Sequence, residues 1–142
     1  MAGYLILDLK NTLVESSVGG YFLRKGTLET LKTLREEGWV LILGVNSSNP
    51  QKVYSILKLE EKGTILESLF DGVCISSEVS CKKPDPQFIK CALSKVLNEP
   101  QVEEALANTY VAGGMLDTDI LAGQKAGVKT VWINLLPSVS SS

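Results

Sequence analysis

The sequence predicts an α/β domain in which helices cover both faces of a parallel β-sheet. Short, continuously apolar segments alternate along the chain with longer segments whose apolar residues recur every three or four positions. A continuous apolar run is typical of a strand buried on both faces, and the three-to-four spacing is typical of a helix that packs on one side. We therefore expect a doubly wound sheet in three layers.

Five strands are predicted where apolar runs are bounded by polar or turn-forming residues. The first run ends at Asp8, and the longest has the length of a strand rather than of a membrane span. The predicted strands are residues 4–7, 39–45, 72–75, 109–112 and 129–133.

Four helices are predicted between these strands. Gly38, Gly63 and Gly127 follow three of the helical patterns, where a left-handed residue is common, and Asn49-Pro50 and Asp85-Pro86 are typical helix starts. The predicted helices are residues 27–37, 50–62, 86–97 and 117–126. Residues 13–25, which contain Gly19-Gly20, predict a loop or small hairpin at the end of the first strand.

Length and composition restrict the possible functions. The 142 residues fit one domain, which we place at residues 1–136, with a disordered polar tail at 137–142. The formal net charge of −2 argues against nucleic-acid or anionic-membrane binding, and the absence of histidine removes His-based catalysis and every His-containing zinc site. Three cysteines without a CxxC pair, and no targeting segment, predict a cytoplasmic protein with reduced thiols.

Polar residues follow the predicted strands at the points where ligands bind in open α/β sheets. If the strand ends converge, they bring together a carboxylate, hydroxyls, a lysine and helix starts. Such a set of groups is suited to binding an oxyanion. Solvated loop or helix-cap roles remain open for several of them. The residues concerned are Asp8, Lys10, Asn11, Thr12, Asn46, Ser47, Ser48, Lys83, Gly113, Gly114, Asp117 and Asp119.

Four of these segments, in this order, resemble the haloacid dehalogenase-like hydrolase superfamily, most of whose members are Mg²⁺-dependent phosphatases. Residues 5–13 resemble the first motif, an apolar run followed by Asp-x-Asp-x-Thr, and Ser47 falls on the Ser/Thr of the second. Lys83, in Lys-Pro-Asp-Pro, falls on the family lysine, and residues 111–120 resemble the fourth motif, Gly-Asp-x-x-x-x-Asp. The resemblance covers residues 4–134 and implies a Rossmann-like sheet of strand order 5-4-1-2-3.

The resemblance also implies roles for individual residues. Asp8 falls on the nucleophile and Lys10 on the general acid/base position, so these two are the candidate catalytic residues. Asp8 and Asp119, with Asp117 as a nearby substitute, are the candidate Mg²⁺ ligands. The candidate phosphate-binding residues are Thr12, Ser47, Ser48, Lys83, Gly113 and Gly114.

Two positions depart from the family pattern. The acid/base aspartate is replaced by Lys10, and the first aspartate of the fourth motif, a metal ligand, is replaced by Gly114. Losing a carboxylate and placing a cation near the site should weaken Mg²⁺ binding by orders of magnitude. We expect Lys10 to pair with Asp8, because residues two apart share a face in an extended segment. Lys10 could alternatively replace part of the charge of Mg²⁺ and hold a phosphate beside Lys83.

No inserted cap domain is expected, because about 36 residues separate Asp8 from the end of the second strand and about 36 separate the second motif from Lys83, and predicted elements fill both. An open site suits a large substrate or a covering partner. Two functions are favoured: a phosphohydrolase with impaired Mg²⁺-dependent turnover, or a degenerate module that binds a phosphorylated ligand or a protein. A third option is an α/β interaction module without a ligand. The expected partners are a phosphorylated small molecule, a phosphoprotein or a protein that covers the site.

Overall fold

The computed structural model describes residues 2–134. Nine strands lie within them. They are β1 (Gly3–Leu7), β2 (Val14–Ser17), β3 (Gly20–Leu23), β4 (Trp39–Val45), β5 (Glu60–Glu61), β6 (Thr64–Ile65), β7 (Gly72–Ile75), β8 (Thr109–Gly113) and β9 (Lys129–Trp132). The α-helices of the same residues are α1 (Thr27–Glu36), α2 (Pro50–Leu57), α3 (Ser76–Val79), α4 (Gln87–Leu93), α5 (Glu99–Ala105) and α6 (Leu121–Ala126).

The central sheet contains five parallel strands in the order β7-β4-β1-β8-β9. In chain order these are the third, second, first, fourth and fifth strands, so the predicted order and the fold class are confirmed. β2 and β3 form the antiparallel hairpin expected after the first strand. The bounds of the five predicted strands agree with the structure to within one residue.

The core lies in two layers, one on each face of the sheet. Leu5 and Leu7 of β1 face α1 and α2, whereas Ile6 between them faces α4 and α6. Neighbouring side chains of a strand point to opposite faces, so a continuous apolar run fills both layers. Gly44 in β4 permits close packing, because a Cβ there would lie 2.9 Å from Ile6 and 3.1 Å from Phe88 of α4.

The helices differ from the prediction in several places. The helix predicted at 86–97 ends at Leu93, the one predicted at 117–126 is α-helical only from Leu121, and α3 was not predicted. The second helix does not extend to Gly63 but ends at Leu57, and β5 and β6 follow as a hairpin. The two residues of its turn, Lys62 and Gly63, both have positive φ (50° and 83°), which is the backbone of the tight hairpin turn that matches strand twist. The sequence also contains α5, which was not predicted, and Asn98 and Gln101 form a reciprocal capping box at its start.

No helix within residues 2–134 has the length and apolar character needed to cross a membrane. The residues between Asp8 and Lys83 are occupied by the β2–β3 hairpin, α1, β4, α2, the β5–β6 hairpin, β7 and α3. No separate domain is therefore inserted in this part of the chain. The predicted tail at 137–142 lies outside the described residues, and the predicted domain bounds stay a prediction.

Candidate functional site

Three charged side chains meet at the carboxyl edge of the sheet. Lys83 Nζ lies 2.5 Å from Asp119 Oδ1 and 3.3 Å from Asp8 Oδ1, and it also donates a hydrogen bond to the Gly44 carbonyl oxygen at 2.8 Å. The side chains of Lys83 and Asp119 are 3% and 1% exposed, and that of Asp8 is 16% exposed. We call Asp8, Lys83 and Asp119 the buried triad. When ionised, it carries two negative charges and one positive charge.

The strand ends position Asp8 and Lys83. Asp8 directly follows β1, and its backbone N–H donates to the Ala112 carbonyl oxygen of β8 at 3.2 Å. The Asn46 side chain, just after β4, donates to the Lys83 carbonyl oxygen at 2.8 Å and accepts from the Lys83 N–H at 2.9 Å. Asn46 thus fixes the loop that carries Lys83. Sequence reasoning placed Asn46 at the strand end but missed this role, although its position beside Ser47 was a signal.

Asp119 is held by the turn that precedes it. Its Oδ2 accepts a hydrogen bond from the Met115 N–H at 3.2 Å, and Leu116–Ile120 form a π-helical turn that leads into α6. A Cβ on Gly113 would overlap the Asp119 carboxylate. Gly113 therefore acts through its lack of a side chain, which leaves room for Asp119 beside Lys83.

The pKa of Asp8 lies above its ordinary value. Burial is the largest cause, because it disfavours the charged carboxylate; Lys83 opposes the rise, and the negative charge of Asp119 adds to it. Asp8 is therefore less readily ionised than an exposed aspartate, and Lys83 favours its charged form.

Lys10 is outside the triad, so the prediction that it pairs with Asp8 is wrong. The chain turns after Asp8 instead of continuing extended: the Leu9 carbonyl oxygen accepts from the N–H groups of Thr12, Leu13 and Val14. Lys10 and Asp8 consequently do not share a face. The ammonium of Lys10 lies 5.2 Å from the centre of the Tyr21 ring, in β3.

Lys52 approaches the same ring from α2. Its Nζ lies 5.3 Å from the Tyr21 ring centre. The pKa of the Tyr21 hydroxyl lies below its ordinary value, because hydrogen bonding from Lys10, and then from Lys52, stabilises the phenolate. Tyr21 and Lys52 were not predicted as site residues, and no local motif marks them.

Ser47 and Ser48 lie between β4 and α2. The Ser47 hydroxyl accepts from the Asn49 N–H at 3.0 Å, and the Ser47 N–H donates to Ser76 Oγ at 2.9 Å. Asn49, rather than either serine, caps α2, because its side chain accepts from the Lys52 N–H at 3.2 Å. Both serines line an open cleft of about 890 Å³, whose other walls are Asn46, Ser76, Ser77, Ser80, Cys81, Lys82, Pro84 and Asp85.

The remaining candidates differ in their surroundings. Thr12 is buried, and its Oγ1 has no hydrogen-bond partner among residues 2–134. Gly114 is half-buried and its carbonyl oxygen accepts from Trp132 Nε1 at 3.2 Å. Asp117 is exposed in the first turn of the π-helical segment, and no described contact joins it to Asp8. These assignments to phosphate and metal stay predictions.

The potential metal ligands near Asp8 are few. Both carboxylate oxygens of Asp119 are already bonded, one to Lys83 and one to the Met115 N–H. Gly114 supplies no side chain where the family pattern has an aspartate. Within the described chain, no three His, Cys, Asp or Glu side chains are grouped so that they could hold a metal ion.

Comparison with known proteins identifies the family. The model of the haloacid dehalogenase-like hydrolases matches residues 6–133. The chain belongs to this family. The match begins within β1 and ends after β9, so it includes part of every strand of the central sheet and all of the buried triad.

Individual relatives of this haloacid dehalogenase-like chain are phosphate-cleaving enzymes by name. The pyrophosphatase PpaX of Bacillus pumilus is 31% identical over 106 residues, 75% of this chain and 44% of PpaX. The pyrimidine 5'-nucleotidase YjjG of Escherichia coli is 29% identical over 109 residues, 77% of this chain and 44% of YjjG. This chain therefore spans less than half the length of these two relatives.

Solved structures agree on the fold. The D,D-heptose 1,7-bisphosphate phosphatase from B. bronchiseptica, complexed with magnesium and phosphate, superposes with a TM-score of 0.65 at 15% identity, over 90% of this chain and 78% of that protein. The predicted family and sheet order are confirmed by these comparisons together with the sheet itself.

Proposed function

We propose that this haloacid dehalogenase-like chain binds phosphate monoesters beside the buried triad and hydrolyses them slowly, with little response to Mg²⁺. The observation that carries the proposal is the position of Lys10, whose ammonium packs on Tyr21 instead of facing Asp8. The acid/base position of the family therefore supplies no proton donor next to the nucleophile position. The phosphate-cleaving relatives support the class of substrate.

Mg²⁺ does not fit the residues present as it fits the family pattern. Octahedral Mg²⁺ needs oxygen ligands free to turn toward it. Asp119 is 1% exposed, both of its oxygens accept hydrogen bonds within the protein, and the Lys83 ammonium at 2.5 Å repels a cation; position 114 is glycine. Only Asp8 remains as a side-chain ligand among the matched positions, so no step of the proposed reaction uses the metal.

The proposed reaction follows from the contacts of Asp8. Lys83 holds Asp8 Oδ1, which leaves Oδ2 as the atom that attacks phosphorus. A bond forms between Oδ2 and phosphorus while the ester P–O bond breaks, and the departing oxygen takes its proton from water. Hydrolysis of the aspartyl phosphate by water then releases phosphate and restores Asp8. The Ser47 hydroxyl binds a phosphoryl oxygen, and Lys83, whose three N–H groups already donate to Asp8, Asp119 and the Gly44 carbonyl oxygen, attracts the phosphate through its charge.

The missing proton donor determines which esters react. General acid–base help is typically about 10²–10⁴-fold in rate, and it matters most when the leaving group is a poor one. We expect p-nitrophenyl phosphate to be hydrolysed slowly and alkyl phosphates not measurably, with rates that Mg²⁺ changes less than about threefold. The matched variant Lys10→Asp returns a carboxyl group to the family's acid/base position and removes the ammonium that packs on Tyr21, so it should reduce the difference between aryl and alkyl esters.

The test is a series of phosphate esters with leaving groups of different acidity, assayed for the wild type, Lys10→Asp and Asp8→Asn. Loss of all turnover in Asp8→Asn with retained phosphate binding supports the proposal. Rapid, Mg²⁺-stimulated turnover of alkyl phosphates by the wild type contradicts it.

A binding module without turnover is the second candidate function. The hydrogen bonds that both Asp119 oxygens accept within the protein favour it. Without a metal ligand at this position and without a general acid at position 10, two separate contributions to the rate of hydrolysis are lost. Wild type and Asp8→Asn would then bind phosphate alike, and neither would release p-nitrophenol above background.

A further inference from the structure

A cluster of two lysines and a tyrosine lies next to the candidate site. Lys10 and Lys52 place their ammonium groups 5.2 and 5.3 Å from the centre of the Tyr21 ring. The three residues come from three separate segments: the turn after β1, the first turn of α2, and β3. We call them the rim cluster.

The charges of the rim cluster are not balanced within the described part of the chain. Six ion pairs are formed by residues 2–134, and neither Lys10 nor Lys52 belongs to any of them. Both lysines are exposed. Two like charges that share one aromatic ring repel each other, and the ring itself recovers only part of that energy.

The location of Lys52 adds to this imbalance. It lies in the first turn of α2, which contains no acidic residue. The N-terminal end of a helix carries a partial positive charge, so a lysine there is unfavourable where an aspartate or glutamate would be favourable. Local rules that a sequence breaks without compensation tend to mark functional positions.

Both lysines of the rim cluster lie near residues of the candidate site in the sequence. Lys10 is two residues from Asp8, so their Cα atoms are at most about 7 Å apart. Lys52 is on the helix that directly follows Ser47 and Ser48. An anion held by the cluster would therefore neighbour a phosphate held at Ser47 and Lys83, and the two positive charges would offset the net negative charge of the triad.

We propose that the rim cluster binds the second phosphate group of a small-molecule ligand whose first phosphate lies beside the buried triad. This inference rests on the proposed function, and it narrows the ligand to compounds with two phosphate groups. The Tyr21 hydroxyl and the two ammonium groups supply hydrogen-bond donors to the second phosphate.

Isothermal titration calorimetry at fixed ionic strength tests the inference. The probes are inorganic phosphate, methylenediphosphonate, which resists hydrolysis, and fructose 1,6-bisphosphate, which has a longer span. We expect at least one of the two bisphosphorylated probes to bind about tenfold more tightly than phosphate. Lys52→Ala should reduce that tighter binding about fivefold while changing phosphate binding less than twofold, and Lys52→Arg should retain it.

Matched controls separate this from a general loss of positive charge. Lys32→Ala removes an exposed lysine of α1 that is in no ion pair of the described chain, and it should leave all three affinities unchanged. Two results would overturn the proposed role of the rim cluster while leaving the proposed function intact. One is equal affinity of the wild type for all three probes, and the other is an equal loss of affinity in Lys52→Ala and Lys32→Ala. Failure of phosphate itself to bind would overturn both.

Discussion

Lys83→Met tests the buried triad through stability rather than activity. The substitution removes an ammonium that is 3% exposed and that contacts Asp119 Oδ1, Asp8 Oδ1 and the Gly44 carbonyl oxygen. Methionine matches the lysine side chain as far as Cε and lacks only the terminal ammonium, so the change in packing is small. What remains is two neighbouring carboxylates without the cation between them.

The expected cost is about 3–5 kcal/mol in the free energy of unfolding, because breaking a buried ion pair from one side leaves an uncompensated charge. That is a large part of the roughly 5–15 kcal/mol that stabilises a typical domain. Lys83 is also one of the groups that lower the pKa of Asp8, so its loss raises that pKa further. A carboxyl whose pKa is higher in the folded than in the unfolded state loses stability as the pH rises between the two values. The destabilisation should therefore be greater at pH 7 than at pH 4.

Urea unfolding followed by circular dichroism measures this cost. Lys82→Met is the matched control, because Lys82 is the exposed neighbour, and it should change stability by less than about 0.5 kcal/mol. The double variant Lys83→Met/Asp8→Asn removes one of the two stranded charges and should recover part of the loss. A cost below about 1 kcal/mol for Lys83→Met, or no recovery in the double variant, would refute the triad as the centre of the site.

Three further predictions concern other parts of the structure. Gly113→Ala should destabilise the protein by about 1–3 kcal/mol, because the added Cβ would overlap the Asp119 carboxylate. Gly19→Ala is the control and should be neutral, because nothing lies within 4 Å of a Cβ there. Equal melting temperatures of the two variants would contradict this. Lys10→Asp/Gly114→Asp should bind Mg²⁺ in calorimetry where the wild type does not, because it adds two carboxylates at the family positions and removes a cation. A Cβ at 114 lies 3.3 Å from the Ile133 carbonyl oxygen, which must shift by a few tenths of an ångström; no gain would mean that these positions do not correspond to the family ligands. Cys74 is buried, and burial raises the pKa of its thiol to about 12. Iodoacetamide at pH 8 should therefore modify it at least about 100-fold more slowly than the partly exposed Cys81 and Cys91. Comparable rates, measured by mass spectrometry, would show that β7 is not buried.

The sequence predicted the sheet well because the signal of a doubly covered strand is local. Each run of apolar residues such as 39–45 fills both layers of the core, so its bounds coincide with those of the strand. Asn49 and Pro50 likewise mark the start of α2 by local chemistry. The same reasoning failed at Gly63, because a glycine with positive φ serves a hairpin turn as well as it serves a helix end.

The site was predicted only in part, because its geometry depends on contacts between distant segments. Asp8, Lys83 and Asp119 were all identified, and their meeting follows from the strand order. The direction of Lys10 was wrong, because the hydrogen bonds to the Leu9 carbonyl oxygen that bend the chain after Asp8 leave no mark in the residue spacing. The pairing of Lys10 and Lys52 at Tyr21 joins residues 11 and 31 positions from Tyr21, and no periodic pattern connects them.

A crystal structure of the protein soaked with both phosphate and Mg²⁺ tests the central claim most directly. The account predicts that Asp8, Lys83 and Asp119 are in contact, that phosphate is bound at Ser47 and Lys83, and that no metal is bound. An octahedral Mg²⁺ ligated by Asp8 and Asp119, with Lys83 displaced from them, would contradict it.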